Sequence, residues 1–313
     1  MKPSTIPLLF RTKRTVSCAV SLSLAVGLLL VGSSCSSSKT AAPERSETAV
    51  SAPTETLRIP RIATIQQAGN GSVSKVGNGW KVVTGGGGAY AAAVPIGSYG
   101  PGHWAGSVEA RLRVTKGKIG VGLLTEDSHI LNQQTVVAAS DVQTVSLPVA
   151  SNQNGKSLLL FGPEPSGTLS EVLVEAVDLA LPAVKLPNAV SLAKIASGQE
   201  GALAEPGPPV HVVTAARPWS YAATFPLVLD NPKGTLFLRA RVTTIRGEPY
   251  IGILNQDQKD FQSQELLPPG SNAQDVVVYI PSPQTAGSVI VRNGSKNGVS
   301  EVRIEDMAVY VVK

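Results

Sequence analysis

The sequence predicts an all-β protein with two tandem β-sandwich modules of jelly-roll type, which follow a leader and a disordered linker. Three observations predict this fold. The stretch KIGVGLLTED at 118–127 recurs as EPYIGILNQD at 248–257, a shift of 130 residues. Short runs with alternating apolar residues fill both copies, and turn residues are plentiful, with 30 Gly and 23 Pro. No segment shows a convincing amphipathic helical stripe.

The leader covers residues 1–35 and has the three parts of a secretory signal. Its first 15 residues carry four basic side chains, residues 16–31 are uncharged and apolar, and small residues precede Cys35. The apolar run is shorter than the ~20 residues that a membrane-spanning helix needs. The sequence therefore predicts export.

The segment Gly32-Ser33-Ser34-Cys35 resembles the lipobox of bacterial lipoproteins. This resemblance implies that the Cys35 thiol is lipidated and becomes the mature N-terminus, which anchors the protein in a membrane of the cell envelope, facing the periplasm or the surface. Bacterial lipoboxes usually have Leu where this sequence has Gly32. Ordinary signal-peptidase cleavage and an uncleaved anchor are the alternatives.

Composition excludes several classes of site. No cysteine follows Cys35, so the mature chain has no disulfide, no thiol nucleophile and no cysteine-bound metal. The pI of 9.2 is misleading, because four of the 27 basic residues precede Cys35 whereas all 22 acidic residues follow it. A nucleic-acid surface needs a basic excess that the mature chain lacks.

The linker, residues 36–56, is rich in Ser, Thr, Ala and Pro and has no periodicity, which predicts disorder. Repeat 1 is predicted at residues 57–183 and repeat 2 at residues 186–313. Apolar residues at every second position alternate with Glu109, Arg111 and Arg113 over 108–114 and with Phe237, Arg239 and Arg241 over 236–242, the pattern of a half-buried strand. Repeats of this length indicate duplicated domains, since solenoids have periods of ~20–50 residues.

The order of strands resembles the galactose-binding-like β-sandwich of carbohydrate-binding modules. The residues that carry the resemblance are a Tyr-Ala-Ala strand, a Leu-Arg-x-Arg-Val strand, an Ile-Gly-Ile-Leu strand and a Val-Arg-Asn strand. The resemblance covers both repeats and implies a jelly-roll fold that binds glycans. Repeat 1 has Phe161-Gly162 where repeat 2 has Arg292-Asn293.

Aromatic residues are the first candidates for ligand binding, because a sugar ring stacks on a flat aromatic face. Trp219 and Tyr221 are two residues apart and are expected to share one face of a strand. Arg292 offers a bidentate donor to hydroxyl pairs or carboxylates. The ligand-binding candidates are Tyr99, Trp104, Trp219, Tyr221, Tyr250, Arg292 and Asn293.

Acidic residues suggest two other kinds of site. Asp127 and Asp257 follow equivalent strands, where each caps a turn or joins carbonyl groups around a structural Ca²⁺. Glu171 with Glu175, and Glu301 with Glu305, alternate with apolar residues and are interpreted as solvent-facing positions of a terminal strand. A glycosidase would need two acids that face one groove.

These patterns favour a non-catalytic envelope lipoprotein that binds glycan or another envelope polymer, with no enzymatic activity and no cofactor beyond that Ca²⁺. The three histidines, at 103, 129 and 211, do not form a metal-binding motif. An alternative is a structural subunit that binds protein in an envelope complex, and a third hypothesis is a hydrolase with an unrecognised carboxylate pair. Buried aromatic side chains and the lack of a groove would favour the structural alternative.

Overall fold

A computed structural model describes residues 53–97, 105–150, 153, 155–198, 202–230 and 233–312. Over these residues the predicted all-β fold is confirmed, since the only helical segments described are two short 3-10 turns, Ile62–Thr64 and Leu192–Lys194. In the same residues no helix has the length and apolar character to cross a bilayer.

The first half of the fold contains eleven strands: β1 (Thr54–Pro60), β2 (Gln66–Gln67), β3 (Ser72–Val76), β4 (Gly79–Thr84), β5 (Tyr90–Pro95), β6 (Gly106–Lys116), β7 (Lys118–Thr125), β8 (Ile130–Val137), β9 (Gln143–Val149), β10 (Gly155–Phe161) and β11 (Ser170–Leu186). The second half contains ten: β12 (Ala196–Ser197), β13 (Leu203–Glu205), β14 (Val210–Val213), β15 (Tyr221–Pro226), β16 (Thr235–Arg246), β17 (Pro249–Asn255), β18 (Phe261–Leu266), β19 (Gln274–Ile280), β20 (Ala286–Asn293) and β21 (Glu301–Val312).

Each repeat has its own five-stranded sheet, and an eleven-stranded sheet runs through both repeats. The five-stranded sheets have the same antiparallel order, β2-β5-β10-β7-β8 in repeat 1 and β12-β15-β20-β17-β18 in repeat 2. The larger sheet supplies the second layer, with β11 between β4 and β6 in repeat 1 and β21 between β14 and β16 in repeat 2. The result is two β-sandwiches with matching strand order.

β-Bulges repeat at the same spacing as the sequence. The ladder between β6 and β11 shifts register near Thr115 and near Glu175, and the ladder between β16 and β21 shifts near Ile245 and Glu305. Bulges re-aim a strand and increase its local twist. Their equivalent positions show that the duplication extends to the irregular backbone.

The two cores lie between the layers. In repeat 1 the buried set includes Val121 and Leu160, and in repeat 2 it includes Ile251 and Val291. The core of repeat 1 also takes in Phe237 and Tyr310 from repeat 2. Burial of one such large apolar side chain contributes about 1.5–3 kcal/mol.

β11 joins the two repeats as one strand of 17 residues. Residues 171–180 pair with β6, and residues 183–186 pair with the end of β21. The boundary expected between residues 183 and 186 therefore falls inside a continuous strand. β1 begins at Thr54, inside the segment expected to be linker, and pairs with β11 from Thr54 opposite Val184 to Pro60 opposite Asp178.

Candidate functional site

An arginine and several aromatic side chains lie together on the outer face of the five-stranded sheet of repeat 2. Tyr221 on β15 and Tyr250 on β17 are each paired in register with Arg292 on β20. Residues that are opposite each other on adjacent strands project from the same face. Ile251 and Val291, the neighbours of this row along β17 and β20, belong to the core. The row therefore faces away from the core.

Arg292 is at the centre of this group. Its guanidinium carbon lies 4.3 Å from the ring centroid of Phe261, 4.5 Å from that of Trp219 and 5.7 Å from that of Tyr250. Its Nη2 donates a hydrogen bond to Oε1 of Gln264. We call these residues the Arg292 cluster: Trp219, Tyr221, Tyr250, Phe261, Gln264 and Arg292.

The rings of the cluster also contact one another. The centroids of Trp219 and Tyr250 are 5.7 Å apart, and those of Tyr221 and Phe261 are 6.1 Å apart in an edge-to-face arrangement. Aromatic pairs at such distances contribute about 0.5–1.5 kcal/mol beyond burial, and a cation over a ring about 0.5–2 kcal/mol. These contacts hold the guanidinium in place.

Charge in the cluster is uncompensated. Burial lowers the pKa of the Arg292 guanidinium from its usual value, whereas an adjacent carboxylate would raise it. Among the residues that the structure describes, no carboxylate forms an ion pair with Arg292, and its buried Nε has no hydrogen-bond partner. An arginine remains cationic at neutral pH. The outer face of repeat 2 therefore carries a positive charge among aromatic rings.

Trp219 reaches the cluster from a turn. The spacing predicted that Trp219 and Tyr221 share a face within one strand, but β15 begins at Tyr221, and Trp219 has a left-handed backbone with φ of 63°. The Trp219 N–H donates to the carbonyl oxygen of Asn293 at 2.7 Å, and the residue is 52% exposed. A left-handed non-glycine residue costs about 1–2 kcal/mol, so the turn presents this indole at the expense of backbone strain.

Asn293 lies outside the cluster, although it follows Arg292 directly. Its side chain is fully buried, and its Nδ2 donates to the carbonyl oxygens of Ala215, Arg217 and Gly298. Its Oδ1 accepts from the Ser295 N–H and the Ser300 hydroxyl, at 3.1 and 2.7 Å. These bonds tie together two loops beneath the cluster, so Asn293 supports the turn that carries Trp219.

Three of the candidate residues, Tyr99, Trp104 and Cys35, lie outside the described residues. Their roles stay predictions. Of the remaining candidates, the structure brings Trp219, Tyr221, Tyr250 and Arg292 together and places Asn293 behind them.

Asp127 and Asp257 lie in equivalent turns after β7 and β17. The Asp257 Oδ1 accepts a hydrogen bond from the Lys259 N–H at 3.1 Å, which caps its turn. Among the described residues, no group of three or more His, Cys, Asp or Glu side chains is placed to hold a metal. A Ca²⁺ bound through carbonyl oxygens stays a prediction.

The carboxylates of the two terminal strands contact Lys, Arg or His side chains of neighbouring strands. Glu171 contacts Lys81 at 2.6 Å and Glu175 contacts Arg113 at 3.4 Å. In repeat 2, Glu301 lies 2.9 Å from His211, and Glu305 lies 3.2 Å from Arg241. These acids stabilise the solvent face of the eleven-stranded sheet.

Phe261 and Gln264 were not among the candidates. Both come from β18, which pairs with β17 through the register Gly252 opposite Gln264 and Leu254 opposite Phe261. The short hairpin after the Ile-Gly-Ile-Leu strand is the feature of the sequence that could have pointed to these two residues. A β-bulge between Ile253 and Leu254 shifts the pairing, so the residues of β18 that face the cluster could not be read from spacing alone.

The Arg292 cluster offers aromatic rings, a fixed cation and amide donors on one exposed face. Leu266, which pairs with Tyr250, extends the apolar area and is 46% exposed. Such a surface combines flat apolar contact with directional hydrogen bonding, as ligand sites generally do.

No protein-family model matches the chain, and no curated protein matches it significantly. Solved structures similar to it include carbohydrate-binding modules and a fucolectin. The tandem CBM22 domains of Paenibacillus barcinonensis Xyn10C share 8% identity, cover 83% of this chain and 96% of their own, and give a TM-score of 0.27.

The tandem CBM51 modules of a Streptococcus pneumoniae family 98 glycoside hydrolase share 11% identity, with 75% of this chain and 84% of theirs covered and a TM-score of 0.28. A fucolectin from striped bass serum shares 9% identity, with 74% and 85% covered and a TM-score of 0.24. Because all three TM-scores are below 0.5, we base the function on the residues of this chain.

Proposed function

We propose that this protein is a non-catalytic lipoprotein of the cell envelope that binds glycan through the outer face of repeat 2. The observation that carries the proposal is the Arg292 cluster, in which exposed aromatic rings surround a guanidinium that has no acidic partner in the described residues. A sugar ring placed on Trp219 or Tyr250 would contact a flat apolar surface, and its polar groups would reach Arg292 and Gln264.

Exposure of the aromatic side chains supports glycan binding over a purely structural role. Trp219 is half exposed, and Tyr221 and Tyr250 are partly exposed. Aromatic residues that served only the core would be buried, as Phe225 and Phe237 are. The carboxylate pairs expected of a hydrolase are engaged with Lys, Arg or His side chains, which supports the non-catalytic part of the proposal.

The membrane part of the proposal depends on the leader. Four basic residues and an apolar run form the pattern of a secretory signal, and Gly32-Ser33-Ser34-Cys35 resembles a lipobox. Metabolic labelling with a fatty-acid analogue should label the wild-type protein but not the Cys35→Ala variant. Labelling of the variant, or no labelling of either protein, would refute lipidation at this residue.

The test of glycan binding is a screen of the purified full-length protein on envelope and plant polysaccharides. We expect saturable binding that Trp219→Ala weakens at least tenfold, because the substitution removes the most exposed ring of the site. Val228→Ala is the matched control, since Val228 is an exposed apolar residue of the same repeat, 55% accessible, outside the cluster. Binding to no polysaccharide would refute the proposal and favour a protein partner.

A further inference from the structure

Arg292 differs from the arginines on the other sheet of the same repeat. Arg239, Arg241 and Arg246 on β16 lie 3.1, 3.2 and 2.9 Å from acidic side chains of β21. Such cross-strand pairs neutralise each guanidinium within the protein. In the part of the chain that the structure describes, Arg292 contacts aromatic rings and an uncharged amide instead.

Hydrogen-bonding groups in the cluster are mainly donors. An arginine has five N–H donors and no acceptor, so the Gln264 amide must direct its oxygen toward Arg292. This contact uses the Gln264 oxygen and leaves the two amide N–H groups of an exposed side chain for a ligand. A surface with surplus donors and a positive charge is complementary to an acceptor that carries a negative charge.

The aromatic rings hold the guanidinium but do not neutralise it. Cation–π contacts offset part of the cost of removing a cation from water, and no counterion within the described residues supplies the remainder. A carboxylate matches the planar fork of arginine and accepts two N–H bonds at once. Neutral hydroxyl groups would leave the charge uncompensated.

We propose that the glycan recognised by the Arg292 cluster contains an acidic sugar, with its ring on Trp219 or Tyr250 and its carboxylate on Arg292 and Gln264. This inference rests on the proposed glycan binding and names the class of ligand. It specifies uronic-acid-type residues over neutral sugars of the same shape.

The experiment compares matched polymers that differ only in charge. Polygalacturonate, alginate, hyaluronan and glucuronoxylan would be tested beside forms of the same polymers with methyl-esterified carboxylates, and dextran sulfate would report on non-carboxylate anions. We expect the full-length protein to bind at least one carboxylated polymer and to bind its esterified form at least tenfold more weakly. The affinity should fall as salt is raised.

Two substitutions test the assignment to Arg292. Arg292→Gln should weaken binding of the carboxylated polymer roughly 10- to 100-fold, the effect of losing charge-assisted hydrogen bonds. Gln264→Glu, at an exposed position that tolerates change, places a carboxylate beside Arg292 and should weaken binding similarly. Arg303→Gln removes an exposed cation from the other sheet and should leave binding unchanged.

The outcomes separate the two proposals. If binding to esterified or neutral polymers is lost in Trp219→Ala but unaffected by Arg292→Gln, glycan binding stands and the acidic ligand is refuted. Binding to dextran sulfate but to none of the carboxylated polymers would also refute a carboxylate as the group that Arg292 recognises. If no polymer binds, the glycan-binding function itself fails.

Discussion

The two repeats share a backbone at the tip of their five-stranded sheets but carry different side chains there. In both, a turn exchanges two backbone hydrogen bonds with the end of a strand. The donor and acceptor pairs are Gly88 to Gly162 and Gly162 to Ala89 in repeat 1, and Trp219 to Asn293 and Asn293 to Ser220 in repeat 2. This pattern makes Gly88 the equivalent of Trp219 and Gly162 the equivalent of Asn293.

The side chains at these positions set the repeats apart. Gly88 has φ of 74°, a conformation that glycine adopts without strain, whereas Trp219 adopts nearly the same angle with a large side chain. In repeat 1 the Phe161 ring covers Gly120 on the outer face, where repeat 2 has Arg292 beside Tyr250. Repeat 1 therefore covers this face with its own ring, and repeat 2 presents a charged cluster. The two repeats therefore share the geometry of the backbone here, whereas within the described residues the cluster occurs in repeat 2 alone.

The largest effect is expected for Gly162→Asn, which gives repeat 1 the side chain of repeat 2. A Cβ on Gly162 would overlap the carbonyl oxygen of Gly85, so the backbone of the turn must move. We expect destabilisation of about 4 kcal/mol or more, or failure to fold, measured by urea unfolding. Gly85→Ala, where a Cβ meets open space, is the control. Unchanged stability of Gly162→Asn would show that the two turns are interchangeable.

Asn293→Ala tests the support of the turn in repeat 2. It removes the side chain that bonds three carbonyl oxygens and accepts from Ser295 and Ser300, and it leaves buried polar groups without partners. We expect a loss of about 2–3 kcal/mol in the free energy of unfolding. Asn297→Ala, at an exposed position of the same loop, should change stability by less than about 0.5 kcal/mol. Equal effects of the two variants would contradict the role of Asn293.

Trp219→Gly separates binding from stability. The substitution relieves left-handed strain and removes the contacts of the indole, two opposing terms of about 1 kcal/mol each. We expect unfolding stability to change by less than about 1 kcal/mol while glycan binding falls more than tenfold. Gly88→Ala in repeat 1 is the counterpart. It should cost about 1 kcal/mol from its backbone alone, because nothing lies near the added Cβ. If the Trp219→Gly variant still binds glycan as the wild type does, Trp219 is not part of the binding site.

The smallest expected effect is on the loss of folding stability at acid pH. A hydrogen bond from His211 holds the pKa of Glu301 below its usual 4.5, and one from Lys81 lowers the pKa of Glu171 in the equivalent pair of repeat 1. A lowered carboxyl pKa stabilises the folded state above the unfolded pKa, near pH 4.5, and this contribution is lost as the pH falls through the lowered value.

Glu301→Gln and Glu171→Gln should therefore narrow the difference in melting temperature between pH 7 and pH 3. Thermal unfolding at both pH values measures this effect. Glu126→Gln, which removes an exposed turn carboxylate, is the control. If the melting temperatures of both variants differ between pH 7 and pH 3 as much as that of the wild type does, the stabilising role of the Glu301 and Glu171 carboxylates is contradicted.

Much of the fold could be predicted from the sequence, because the alternation of residues along a strand and the duplication of the repeats are both visible in short stretches of sequence. Leu236, Leu238, Ala240 and Val242 were predicted to line one face of a strand, and the structure buries all four within β16, although Phe237 on the other face is buried as well. The boundary between the repeats was predicted at residues 183–186, but β11 runs through it as one strand. Pro182 lies between the last residue paired with β6 and the first paired with β21, and on the other side of the strand it is paired with Thr56 of β1.

The candidate residues were chosen by residue type. Whether they lie close together depends on the pairing of strands that are far apart in the sequence. Arg292 and Tyr250 were chosen separately, and the ladder between β17 and β20 brings them together. Trp219 was selected for the wrong geometric reason, since a left-handed turn is not readable from a spacing of two. Phe261 was missed because a β-bulge changes which residue faces outward.

The first strand of the fold and the end of its last strand both pair with β11, and this brings Thr54 and Val312 close together. Thr54 pairs with Val184, and the adjacent residue Ala183 pairs with Val312, so both ends flank one point of a single strand. With strands ~4.8 Å apart, Thr54 and Val312 are separated by roughly 10 Å. A few glycines could join them, and new termini could open at an exposed turn such as the one at Asp257. The sandwiches are thus suited to circular permutation, which would move the chain ends from the junction of the repeats to the tip of either one.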